Sequence, residues 1–283
     1  MKLGMRWLLA LAAVMALLLT ACGDAAEEEP QGDDTDTETE NEGGDDLGLI
    51  QEGRLLVGSD INFAPFEFIE DGEEKGFDID LMNEIAERLG LEVEYVNTGF
   101  DNIFTQLAGG EFDVIVSAIT ITDERKEIIA FSEPYFEANQ ALVTTQDSGI
   151  SGVADLAGKD VGTQAGTTGL DYARENFTDA SIVEFPDAPA GFTALAAGQL
   201  DAMFIDVPVA VEQVEGNDDF VLVEEVSTNE LYGIGVQQDD AALLEAIDAA
   251  LAEIIADGTY AEIFETWFPG AQVPDRFATD GAS

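Results

Sequence analysis

The chain has 283 residues, ten of them Lys or Arg, sixty Asp or Glu and none His, for a formal net charge of −50. Such an acidic surface repels polyanions, so nucleic acid and anionic lipid are poor partners for the folded part, and self-repulsion of this size is tolerable chiefly where salt screens it. Without histidine and with one cysteine, Cys22, Ser-His-Asp and Cys-His catalysis, His/Cys zinc centres and an intrachain disulfide are all excluded. We therefore expect a salt-rich habitat, a hypothesis that equal thermal stability in dilute and molar salt would contradict.

At the N-terminus, Lys2 and Arg6 flank the start of an apolar run of 13 residues over 7–19. A membrane-spanning helix needs about 20 such residues, so the run suits a cleaved leader better than a permanent span. It closes on Leu19, Thr20, Ala21 and Cys22, which resembles the lipobox of bacterial lipoproteins. The resemblance implies a signal peptide over 1–21, lipidation of Cys22 and an extracytoplasmic chain held to the cell membrane by that lipid, either on the outer face of the cytoplasmic membrane or in a periplasm. An ordinary secretory signal with an incidental cysteine is the alternative. Residues 24–46 carry twelve Asp or Glu and no Lys or Arg. Such a segment buries too little apolar area to offset its ordering entropy, so 22–50 is expected to be a disordered acidic linker. No later apolar run is long enough to span a bilayer.

From about residue 51 strand-like and helix-like stretches alternate. Residues 54–58 read as a buried strand. Leu81, Ile85 and Leu89 give 80–89 one apolar face, Gly90 stops that helix, and 91–96 alternates as a strand. Buried strands are expected at 113–117, 160–163, 181–185 and 202–206, and helices at 168–177, 188–197, 207–214, 240–256 and 260–267. This order indicates an α/β protein with largely parallel sheets. The decapeptide from Phe104 to Asp113 recurs 88 residues later, from Phe192 to Asp201, with six identical positions. Each copy reads as a helix, a glycine stop and an Asp-led strand. Chance likeness of two such turns is one explanation; two similar lobes of about 90 residues is the other. Ligands of such sheets bind beyond the carboxyl ends of the strands, so facing lobes would form a cleft.

The segment from Val57 to Phe68, then Gly76 to Leu81, Ala118 to Arg125 and Phe131 to Tyr135 occur in order, followed by Gly166-Thr167-Thr168, Asp206-Val207-Pro208 and Asp257 to Tyr260 with Trp267. Together they resemble the bacterial extracellular solute-binding proteins of family 3, the polar amino-acid-binding lipoproteins of ABC importers. The likeness covers about residues 53–269. It implies the two-lobed periplasmic-binding-protein fold of type II, with a ligand cleft between lobes joined by two hinge strands near 141–146 and 227–235. Lobe 1 would comprise 51–142 and 236–270, lobe 2 143–235, and 271–283 a C-terminal tail. It further implies a monomer, no enzyme and no cofactor, delivering a polar or basic L-amino acid of the Arg/Lys/His or Gln class to a membrane permease.

A free amino acid is a zwitterion, so its site needs a cation for the carboxylate and oxygens for the ammonium. Arg125, in the turn after the 113–117 strand, offers a planar fork for a carboxylate; pairing at the surface with Asp123 or Glu124 is the plain alternative. Thr167 and Thr168 open a helix whose free N–H groups suit the same carboxylate, and either is also a fitting N-cap. Asp206 would meet the ammonium or cap the following helix. The resemblance assigns Thr120 and the carbonyl of Ala118, with Ser117 beside them, to the ligand's polar end. It assigns Phe63 and Phe100 to a sandwich around the side chain, where core packing is the alternative, and Asp60 to its far end. Gln164 and Ile205 stand where some glutamine binders of the family have Lys and His, which weakens a glutamine-only reading. No metal site is expected. Rival functions are a cyclohexadienyl- or arogenate-type dehydratase on the same fold, a ligand-sensing receptor and a compatible-solute binder.

Overall fold

The computed structural model describes residues 47–279. The leader, Cys22, the linker to residue 46 and the last four residues of the tail lie outside the described residues. No helix among the described residues is long and apolar enough to cross a membrane.

In chain order the first part holds β1 (Arg54–Ser59), a hairpin of β2 (Phe68–Glu70) and β3 (Glu73–Lys75), α1 (Phe77–Leu89), β4 (Glu92–Asn97), α2 (Ile103–Ala108), β5 (Val114–Ile115), α3 (Asp123–Lys126) and β6 (Ala130–Phe131). The middle holds β7 (Phe136–Thr145), β8 (Asp160–Gln164), α4 (Thr168–Asn176), β9 (Ser181–Phe185), α5 (Ala188–Ala196), β10 (Ala202–Asp206), α6 (Val207–Gly216) and β11 (Phe220–Tyr232). β12 (Gly235–Val236), α7 (Ala241–Asp257) and α8 (Thr259–Trp267) return the chain to the first sheet.

The first sheet has the order β4-β1-β5-β12-β6 and the second β11-β7-β10-β8-β9. β1, β4 and β5 run parallel, as do β8, β9 and β10, while β6, β7, β11 and β12 pair antiparallel. Each sheet is therefore mixed. Its βαβ part is parallel because helices carry the crossovers, and the antiparallel strands are those that shuttle between sheets. β1, β5 and β10 are covered on both faces, which is why they read as unbroken apolar runs, whereas β4 alternates. In the second sheet Leu142 and Phe204 pack with Val161 and Phe177 on one face. Their chain neighbours Val143 and Met203 face the other way, with Phe192 and Leu195 of α5.

α1 starts at Phe77, one turn earlier than the 80–89 stripe predicts. Phe77 stands four residues before Leu81 and extends the same buried face, and Gly90 closes the helix in the left-handed conformation at φ 70°. The decapeptide echo has a physical basis. Asp113 donates its N–H to the Leu56 carbonyl and accepts the Leu56 N–H on its carboxylate; Asp201 does the same with Asp160. In each copy a strand-leading aspartate thus stitches its own strand to the parallel neighbour.

The first linking stretch differs from the expected 141–146. Residues Gln140 to Thr144 are paired on both sides, with β10 and β11, in the middle of the second sheet. The chain leaves the first sheet at Phe131 and joins the second at Phe136. The return strand β11 breaks register between Val226 and Glu230, with Asn229 at φ 54°, before crossing back at Gly235. Phe136 and Tyr232, paired across the two crossing strands, stack at 5.6 Å.

Candidate functional site

Thr122 caps the one-turn helix α3 by accepting the Arg125 N–H at 3.1 Å. That cap turns the Arg125 side chain back into the protein, where it is 8 % exposed. Its Nη1 donates to the Thr120 carbonyl at 2.7 Å and its Nη2 to the Gly166 carbonyl at 3.0 Å. The guanidinium carbon lies 4.7 Å from the Phe104 ring centre and 5.4 Å from that of Phe100. Of the eight Lys and Arg residues beyond the leader, seven stand in ion pairs. Arg125 is the exception among the described residues. Burial pushes its pKa down to about 10, against the pull of Glu230, Asp171 and Asp206, so it stays cationic at neutral pH.

Gly166 makes the opposing wall. It holds φ 77°, and a Cβ there would stand 3.1 Å from the Asp101 Cα of the other sheet's loops. Only glycine brings this carbonyl to Arg125 at so close an approach. Thr167 then caps α4, accepting the Leu170 N–H and donating to the Gln164 carbonyl, so its hydroxyl is used locally. Thr168 instead donates to Glu230 Oε2 at 2.8 Å.

The acidic pole is built on β10 and β11. Asp206 starts α6 without capping it by its side chain. Its Oδ1 accepts from the Tyr232 hydroxyl at 2.5 Å and from Gln140 Nε2 at 3.0 Å. Gln140 Nε2 also reaches Glu230 Oε1 at 3.0 Å, and the Thr120 hydroxyl donates to Glu230 Oε2 at 2.5 Å. Burial, and next the charge of Glu230, raise the Asp206 pKa to about 7.

At the far end Gln164 Nε2 donates to Asp60 Oδ2 at 2.7 Å, and Gln164 Oε1 is buried without a donor. Burial raises the Asp60 pKa, with its bonds to Asn62 and Gln164 opposing. Ser117 accepts the Asp60 N–H at 3.1 Å, and Ala118, at φ 46°, donates its N–H to Asp78.

All eleven residues singled out in the sequence line one small pocket: Asp60, Phe63, Phe100, Ser117, Ala118 and Thr120 with Arg125, Gln164, Thr167, Thr168 and Asp206. What the sequence reading missed stands one layer out. Glu230 and Gln140 sit on the crossing strands, and Phe104 backs Arg125. Glu230 shares the inward face of β11 with Tyr232 two residues on, a period-two cue available in the sequence. A larger open groove of about 1620 Å³, including its mouth, is flanked by Asn139, Val211, Glu225, Trp267 and Arg276. It offers no buried unpaired cation, so the smaller cavity is the chemically equipped one.

The family pattern described as bacterial extracellular solute-binding proteins, family 3, matches residues 55–270. The ABC transporter arginine-binding protein 1 of Escherichia coli K12 is 34 % identical over 229 residues, 79 % of this chain and 94 % of that one. The crystal structure of the P235GK mutant of ArgBP from T. maritima superposes with a TM-score of 0.74 at 41 % identity, covering 76 % of this chain and 95 % of that one. The ancestral amino acid-binding protein AncCDT-1, a precursor of cyclohexadienyl dehydratase, gives 0.73 at 36 % identity over 76 % and 96 % of the two chains.

Proposed function

Because the chain belongs to the bacterial extracellular solute-binding proteins of family 3, we propose that it captures a free L-amino acid of the basic class, arginine or lysine ahead of histidine and glutamine, and delivers it to the permease of an ABC importer. The observation that carries this reading is the cavity's charge inventory. One buried guanidinium outside any ion pair feels the carboxyl groups of Asp206 and Glu230, and Asp60 stands at the far end of the same pocket. A ligand that supplies one carboxylate and two cationic groups pairs with Arg125, Asp206 and Asp60, while Glu230 is already held by Thr120, Thr168 and Gln140; a neutral side chain leaves the Asp60 end uncompensated.

The ligand carboxylate takes the Arg125 fork and the N–H groups opening α4, where the helix dipole assists. The ammonium meets Asp206, the Ala118 carbonyl and the Thr120 oxygen. Phe63 and Phe100 flank the side chain. At its tip Asp60 and the orphan Gln164 Oε1 are acceptors. Terminal N–H donors satisfy both oxygens. The carbonyl of a glutamine amide has only the second N–H of Gln164 Nε2 to meet there, so a glutamine side chain is served less fully than a guanidinium or ammonium.

In this reading the chain is an extracytoplasmic monomer tethered through lipid on Cys22 and the acidic linker. Lobe 1, built on the first sheet (51–131 with 235–270), and lobe 2, built on the second (136–232), close over the ligand, bending within 132–135 and 226–234. A thermal-shift screen of the lipid-free chain against the twenty amino acids in high salt tests it. Arginine or lysine should raise the midpoint most, and no rise with any amino acid would defeat the proposal. A second reading, a dehydratase, is favoured by the buried carboxyl of Asp206 in the pocket, whose pKa, raised by burial to about 7, would suit a general acid. Turnover of a prephenate-like acid, abolished in Asp206→Asn, would establish it; none would dismiss it.

A further inference from the structure

Two buried carboxyl groups stand behind the cavity wall with no ligand contact assigned to them. Glu67 and Asp78 are each 0 % exposed. Gly76, at φ 134°, lets the start of α1 press against the Phe66 carbonyl, which a Cβ would meet at 1.9 Å. The Asp78 N–H donates to that carbonyl at 2.9 Å, and this close approach brings the two acids together. The Ser117 hydroxyl donates to Glu67 Oε1 at 2.7 Å, while Asp78 Oδ2 accepts the Ala118 N–H and the Tyr135 hydroxyl, each at 2.8 Å. One oxygen of each acid, Glu67 Oε2 and Asp78 Oδ1, is left buried without a donor, although the two side chains lie within hydrogen-bond reach of each other. Two bare acceptors repel; a single proton between them satisfies both.

We propose that Glu67 is protonated and donates from Oε2 to Asp78 Oδ1, and that this acid pair positions Ser117 and Ala118, the wall of the ligand cavity. Ala118 holds φ 46°, a conformation L residues rarely adopt, and its N–H bond to the charged Asp78 oxygen anchors it there. Ser117 relays the same support to Asp60 through the Asp60 N–H.

The titration tendencies agree with this assignment of the proton. Burial, then the charge of Asp78, raise the pKa of Glu67 well above the carboxylate range. Burial also raises that of Asp78, but the Ala118 N–H and the Tyr135 hydroxyl favour its charged form. The other titratable groups acting around the pair are Asp60, Tyr135, Tyr95 and Tyr260. Burial first, and Asp78 next, raise all three tyrosines, which stay neutral; Asp60 adds repulsion to Glu67.

The positioning role rests on the reading of the cavity as an amino-acid site; the shared proton does not. Infrared difference spectra at about pH 8, above the Asp206 transition, should show the C=O stretch of a protonated carboxylic acid. Glu67→Gln should erase it and Asp206→Asn should leave it. Absence of that band, or its survival in Glu67→Gln, overturns the shared proton. Gln at 67 can still accept from Ser117 and donate to Asp78. It should therefore keep the Ala118 amide resonance in place and L-arginine affinity within about threefold, whereas Glu67→Met should weaken affinity about tenfold or more. An Ala118 amide displaced as far by Glu67→Gln as by Asp78→Ala overturns the positioning role. Should the wild type fail to bind L-arginine and the other amino acids, the amino-acid reading falls while the infrared and amide results still decide the pair.

Discussion

Asp206 should make ligand affinity depend on pH with a definite sign. Its pKa stands near 7 in the ligand-free cavity, raised by burial and by Glu230 and partly restrained by the Tyr232 hydroxyl and the Gln140 amide. A ligand ammonium favours the ionised form, so binding lowers that value and releases a proton. At about pH 6 roughly one molecule in ten carries the ionised form, and binding is weaker there than on the plateau by about 1.4 kcal/mol, or tenfold. Affinity therefore rises with pH up to about 8 and then levels. Stability of the ligand-free protein moves oppositely: a carboxyl whose pKa is raised by folding contributes most at low pH, and that contribution is lost as pH climbs through about 7. Isothermal titration with L-arginine, in two buffers of different ionisation heat, reads the affinity and the proton count together. Asp206→Asn should flatten the profile. Affinity that is flat in the wild type between about pH 6 and pH 8, or proton uptake on binding, would refute the assignment.

Arg125→Ala should cost about 2–5 kcal/mol of binding, because the ligand carboxylate is left desolvated without a partner, and Arg125→Lys should recover only part of it for want of a fork. Calorimetric affinity within a few-fold of wild type would exclude Arg125 as the carboxylate's cation. Gly166→Ala puts a Cβ 3.1 Å from the Asp101 Cα at φ 77°. Backbone strain of about 1–2 kcal/mol should weaken binding with little change in the fold, as affinity and circular dichroism together would report; undiminished affinity would show that the two walls need not approach so closely. The thermal midpoint should climb steadily from dilute to molar salt, since sixty acidic residues face ten basic ones; a flat scanning-calorimetry series would remove the argument for a salt-rich habitat.

Much of this site was legible because local chemistry and global placement coincide. Arg125 follows a Thr cap, Asp206 ends a buried strand before a proline, and Gly166 to Thr168 form a glycine turn into a helix. Each is a short-range pattern with few alternatives, and the family resemblance chose among them. The misses are long-range. Glu230 stands two residues from Tyr232, which marks its face, but only the pairing of β11 with β7 and the bridge from Tyr232 to Thr120 bring it to Gln140 and Thr120. Glu67 and Asp78 stand 11 positions apart in two separate motif segments, and the backbone contact at Gly76 that joins them has no periodic signature. The short strands β6 and β12, two residues each, were equally invisible, because nothing in two residues distinguishes a ladder rung from a loop. The bending stretch was displaced for the same reason: central or edge placement of residues 141–144 is a property of the sheet, not of their sequence.

The three poles of the cavity share a design that bears on how a ligand would be selected. Each carries a hydrogen bond between elements of the two sheets: Gln164 to Asp60 at the tip, Arg125 to the Gly166 carbonyl at the carboxylate pole, and Thr120 and Thr168 together on Glu230 at the acidic pole. No separate latch is needed if the groups that touch the ligand also hold the walls together. A ligand that satisfies a pole then stabilises the closed form at that same point. One that leaves Gln164 Oε1 without a donor forfeits about 1–3 kcal/mol, and one without a carboxylate leaves the buried Arg125 charge unpaired; both costs arise only when the walls are shut. Discrimination among amino acids is thereby moved from the encounter to the closing step, and a permease that engages the closed form would receive ligands already sorted.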